Sequence, residues 1–145
     1  MKANELKATD LMVGDWVICY HPSRPQSFER VSVGLLHTLD QQEHGHIKED
    51  SPLFRIVQPI PFTSEILEKN GFERLNDVSN MYHCDIYNYD RIYFDNDKAG
   101  MYSNNEWLVR IEADYASSGA FCELNYLHEL QHLLKLCNLD FYWKV

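Results

Sequence analysis

His128, Glu129 and His132 stand in the order H-E-x-x-H near the end of the chain. On a helix, residues four apart share a face, so the two imidazoles sit one turn apart and could share a metal ion. In zinc hydrolases of this pattern the glutamate is the general base for the metal-bound water. That chemistry needs a third protein ligand. The residues after His132 offer only Cys137 and Asp140, and Lys135 and Asn138 stand where the extended H-x-x-G-x-x-H continuation wants Gly and His. A distant downstream Glu does not fit in the remaining chain. An upstream ligand such as His37, His44, His46 or His83 has to be brought there by the fold.

Other constellations are weaker. Asp95, Asp97, Gly100, Ser103 and Glu106 have the spacing of an EF-hand loop, but Ala99 supplies no side-chain oxygen at the fifth position and the flanks read as strands. These residues read as a hairpin turn. His44-Gly45-His46, with His37 and Glu43 nearby, reads as a polar turn before a metal cluster. Tyr82, Tyr87, Tyr89, Tyr93 and Phe94 could stack bases, but Asp85, Asp90, Asp95 and Asp97 run between them, the wrong field for phosphate. Core packing or a protein-contact face is the expectation. The four cysteines, Cys19, Cys84, Cys122 and Cys137, form no C-x-x-C pair and are expected reduced and mostly buried. There is no P-loop, G-x-G-x-x-G or G-x-S-x-G.

The elements that must position these residues follow from patterning. Gly14-Asp15 is a turn signal before the strand formers Trp16–Tyr20. The prolines of His21-Pro22-Ser23-Arg24-Pro25 make a loop. A second strand is expected over Glu29–Leu36, where Val31 and Val33 alternate with polar residues. A polar turn at Gln41–Gly45 and short strands at His46–Lys48 and Phe54–Gln58 follow. A helix is expected over 64–70, with Thr63 as N-cap, Phe62 and Leu67 spaced as a hydrophobic staple, and Gly71 ending it. Met81–Tyr87, Arg91–Asp95, Met101–Ser103 and Trp107–Ala113 read as strands, with 91–103 as a hairpin. After a loop at Tyr115–Ala120 comes a helix from Leu124 to Cys137. At 100° per residue, Leu124, Leu127, Leu130, Leu134 and Cys137 bury against the sheet, with Leu133 and Leu136 on the same half of the wheel. His128, Gln131, His132 and Lys135 form the polar face. Asp140–Val145 adds a short strand or covers an edge.

The chain has 145 residues, 45% of them hydrophobic and 24% charged, with a net charge of −9. This suits one soluble globular domain and excludes disordered, collagen-like and coiled-coil classes. The acidic balance argues against nucleic acid as a partner. The N-terminus has no apolar signal region, and no apolar run approaches the roughly 20 residues of a membrane span, so a cytoplasmic location is expected. Much of the acid lies at Glu43–Asp50 and Asp85–Asp97, which leaves the last helix's polar face the least acidic surface.

Three segments, Leu11–Val17, Pro59–Phe72 and Tyr126–Cys137, occur in the same order as in a group of small uncharacterised bacterial and phage- or mobile-element-associated proteins. The chain resembles that group, whose members carry a GDWV strand, a PIPLTEEILEKNGF-like helix and a YVHELQHLLRLCG-like terminal helix. Asn138 replaces the Gly that tends to end the helix there and can serve as the same left-handed cap. The resemblance implies no established activity. It implies that the places of Glu129 and His132 accept Gln and Asn, since the group's helix also reads HQLQN or HQLQH. A zinc hydrolase accepts neither change.

Together these readings give a single α+β domain over 1–145. It has a small curved antiparallel sheet or barrel-like N-terminal half, a short central helix, further antiparallel strands, and a C-terminal amphipathic helix packed on the sheet. The favoured function is a non-enzymatic binding or accessory protein of phage or mobile-element type, without cofactor. It takes a protein partner on His128, Gln131, His132 and Lys135, or on the aromatic middle strands. The alternative is a small zinc-dependent hydrolase with His128 and His132 as ligands and Glu129 as base.

Overall fold

Trp16–Tyr20 alternates as a strand with one buried side must. Val17 and Cys19 are buried, while Trp16, Ile18 and Tyr20 are partly exposed. In the computed structural model, which describes residues 5–61, 63–74, 81–86, 90–95, 107–112, 121–136 and 142–145, this segment is β1. It is the centre of a three-stranded antiparallel sheet, between β2 (Ser27–Arg30) and β3 (Ile56–Pro59). Val17 pairs with Glu29 on one side and Pro59 on the other. β2 is exposed along its whole length, as an edge strand can be, and Pro59 closes β3 at its last position. Gly14 turns the chain into β1 at φ +94°, a conformation that costs a glycine little. Its N–H donates to Val31 O (2.8 Å), and Val31 N–H donates to Asp15 O (2.8 Å).

The strand expected over Glu29–Leu36 stops at Arg30, and a helix follows, α1 (Val33–Glu43). Ser32 caps it by accepting from Leu35 N–H at 3.1 Å. The alternation of Val31 and Val33 is overruled by Leu35, Leu36 and Leu39, which recur at helical spacing. Leu39 belongs to the buried cluster of Leu11, Val17, Cys19, Val31, Leu39 and Val57, and Leu35 and Leu36 pack against it. Val33, at the helix start, is exposed. His46–Lys48 forms no strand, and the strand expected at Phe54–Gln58 is β3. Cys19 is a free, buried thiol. Burial, with the negative charge of Glu29 adding, pushes it up to about 12, which leaves it chemically inert near neutral pH.

The chain divides into two compact units. Met1–Pro61 belongs with Tyr126–Phe141 and Val145, and Phe62–Asn125 belongs with Tyr142–Lys144. The second unit begins with α2 (Ser64–Lys69), whose N-cap Thr63 accepts from Ile66 N–H at 3.2 Å. Gly71, at φ +83°, ends it as expected. Phe62, the other half of the expected staple, lies outside the described residues. Five strands follow as an antiparallel meander: β4 (Glu73–Arg74), β5 (Met81–Ile86), β6 (Asp90–Asp95), β7 (Trp107–Glu112) and β8 (Phe121–Leu124). The strand expected at Met101–Ser103 and the loops at 96–100 and 115–120 lie outside the described residues. Leu124, expected to open the last helix and bury from it, is instead the last residue of β8, and the helix begins at Leu127. The last residues of this unit form no strand. Asn70 holds them instead, its Nδ2–H donating to Lys144 O (2.8 Å) and its Oδ1 accepting from Lys144 N–H (2.6 Å). Trp143 stacks on Phe72, ring centroids 5.6 Å apart.

The last helix, α3 (Leu127–Leu136), belongs to the first unit and packs on β1, so the fold is α+β with its C-terminal helix on the sheet. Leu127, Leu130 and Leu134 are buried as the wheel requires. Leu136 is not: it is 85% exposed. No helix among the described residues is long and apolar enough to cross a membrane.

Candidate functional site

The start of α3 is fixed by backbone bonds. Leu127 N–H donates to Ile60 O (2.9 Å), and Tyr126 forms an antiparallel bridge with Pro61. Glu129 is the third residue of the helix, and its Oε1 accepts from Tyr126 N–H at 3.1 Å. This is half of a capping box, and it places a carboxylate where the helix dipole favours negative charge. The glutamate of the H-E-x-x-H segment is therefore a helix cap.

The remaining polar residues face the segment that leads into β1. Gln131 Oε1 accepts from Trp16 N–H (2.8 Å), and its Nε2–H donates to Gly14 O (3.1 Å). The side-chain amide thus satisfies backbone groups as a neighbouring strand would. His132 Nε2–H donates to Asp15 Oδ2 at 2.6 Å, and the same oxygen accepts from Met12 N–H at 2.7 Å. Asp15 is fully buried. Lys135 Nζ donates to Val13 O (3.2 Å). Residues 13–16 are thereby fastened to α3 by Gln131, His132 and Lys135.

His128 departs from the solvated face it was expected to share. It is only 5% exposed, stacked with Tyr126 and set edge-on to His132, ring centroids 6.1 and 5.7 Å away. Burial holds its pKa below the ordinary histidine value, against the opposing pull of the Glu129 and Asp15 charges. The unfolded chain therefore binds this proton more readily than the folded one. Folding stability from this group is complete above about pH 6.5 and falls as the pH drops from there toward the folded-state value. Urea midpoints measured between pH 7.5 and 5 should decline, and His128→Phe should flatten the decline. An unchanged slope in that variant would show that His128 is not the group responsible. His44 works the other way. Its Nδ1–H donates to Asp40 O (2.8 Å), which raises its pKa, so its contribution is present at low pH and fades as pH rises.

These positions do not fit a zinc-hydrolase centre. The Nε2 of His132 is occupied by its bond to Asp15, so a metal could take only the Nδ1 of that ring. Glu129 reaches back to the helix start. Among the described residues no group of three or more His, Cys, Asp or Glu could hold a metal ion. That includes the cluster around His37, Glu43, His44 and His46. Of the EF-hand-like residues, Asp97, Ala99, Gly100, Ser103 and Glu106 lie outside the described residues. His83, Cys137 and Asp140, named above as conceivable ligands, have no described side chain.

Sequence reasoning took Asp15 for a turn residue, and its role as the acceptor for His132 was missed. The two are 117 positions apart, and no spacing rule joins them. Also missed was a cleft of about 240 Å³ beside the β1–β2 loop, lined by His21, Ser23, Arg24 and Arg55 among others. No protein-family model, curated protein or solved structure matches the chain.

Proposed function

We propose that this chain is a small non-enzymatic binding or accessory protein of the phage or mobile-element type. It takes a protein rather than a nucleic acid as its partner and acts without a cofactor. The observation that carries the reading is the bond from His132 Nε2 to the buried Asp15 at 2.6 Å. It gives the most enzyme-like motif of the sequence a task in folding. Partner contact then falls to groups beside this seam that have exposed surface, such as Met12, Val13 and the side chain of Lys135.

Metal analysis of protein purified without an affinity tag tests this. Zinc should be far below one per chain, and Glu129→Gln should change stability by no more than about 0.5 kcal/mol, since glutamine serves the same cap. One zinc per chain, lost in His132→Ala, would instead establish the hydrolase.

A further inference from the structure

The cleft beside the β1–β2 loop is lined by two arginines, Arg24 and Arg55, in a chain of net charge −9. Arg55 is held from both ends. Its backbone N–H donates to Gln42 Oε1 (2.6 Å) and its carbonyl accepts from Gln42 Nε2–H (2.9 Å). Its Nη1 donates to the carbonyls of Pro52 (2.9 Å) and Phe54 (2.8 Å). The opposite edge, Nε with Nη2, has no hydrogen-bond partner among the described residues. That edge has the fork geometry that binds two oxygens of one oxyanion.

The other wall is fastened to the same loop. Ser23 N–H donates to His21 Nδ1 (3.1 Å), which makes that nitrogen an acceptor, so Ser23 Oγ–H donates to it as well (2.6 Å). The ring proton is then on Nε2, and it donates to Ser51 O (3.1 Å). His21 thus ties the loop carrying Arg24 to the loop carrying Arg55. Neither guanidinium forms an ion pair with a carboxylate among the described residues. The nearby Glu29 accepts instead from Ser27 Oγ–H at 3.2 Å.

We infer that this cleft binds a phosphoryl group, as free phosphate or as a small phosphomonoester. Two guanidinium charges match a dianion, where a carboxylate offers only one negative charge. The anchored Arg55 supplies the bidentate contact without first having to be ordered, and Arg24 and Tyr20 line the cleft with it. The volume admits a phosphate with a small substituent and falls below that of pockets for larger ligands.

Amide chemical shifts of the full chain, titrated with inorganic phosphate at constant ionic strength, test this. Saturable shifts should cluster at residues 20–27 and 51–55. Arg24→Ala, at an exposed position, should weaken binding about tenfold or more. Arg30→Ala, which removes the same charge elsewhere, should change it less than about twofold. Glycerol 3-phosphate binding more tightly than phosphate assigns the site to small phosphomonoesters, and equal binding assigns it to the free anion. Unsaturated shifts, equal binding of acetate, or Arg24→Ala indistinguishable from the parent would overturn the inference.

Discussion

His132→Ala is expected to cost about 3 kcal/mol of folding stability, far more than a surface histidine. Asp15 is fully buried, and its Oδ2 accepts two hydrogen bonds, from His132 and from Met12 N–H. Truncating His132 leaves the carboxylate buried with one donor fewer, and the desolvation cost of that group is no longer offset. The figure sits at the low end for a broken buried pair because the His132 side chain is itself 28% exposed, so water can replace part of the lost contact. Urea unfolding, read as a shift of midpoint at constant slope, measures it. A loss below about 0.5 kcal/mol would show that the seam between α3 and β1 does not hold the helix.

The second large effect is apolar. Leu130 has no exposed surface, and truncation to alanine removes buried methyl groups and leaves a cavity, with an expected cost of about 3–4 kcal/mol. Leu136 lies on the same half of an ideal wheel but is 85% exposed, so Leu136→Ala should stay within about 0.5 kcal/mol of the parent. Thermal or urea unfolding of the two variants side by side checks this. Similar losses would mean that Leu136 is covered in solution. The contrast separates hydrophobic periodicity from burial: the wheel places a residue on a face, and only packing against β1 decides how far along the helix that face is covered.

The same distinction governs what could be read from the residues alone. Local signals were legible. Thr63 and Gly71 bound α2 because capping is chemistry between residues three or four apart, and Val17 and Cys19 mark β1 by simple alternation. Signals that compete were misread. Val31 and Val33 look like a strand until Ser32 is seen to cap the turn that carries Leu35 and Leu39 inward. Contacts between distant segments were not legible at all. Gln131 and Gln42 each satisfy two backbone groups of a distant strand end, and Asn70 does the same for the C-terminal tail. An amide gives no sign in the sequence of which backbone it will serve. His128-Glu129-Leu130-Gln131-His132 therefore reads as a catalytic motif, while Glu129, Gln131 and His132 are explained by the groups they bond at the start of α3 and before β1.

A double-mutant cycle between Asp15 and His132 tests the central claim most directly, using Asp15→Asn, His132→Ala and the double variant in metal-free buffer. If these residues fasten α3 to β1, the coupling energy should be at least about 1.5 kcal/mol, with no dependence on added zinc. A coupling near zero, or one that emerges only when zinc is supplied, would contradict the account and return the two histidines to a metal.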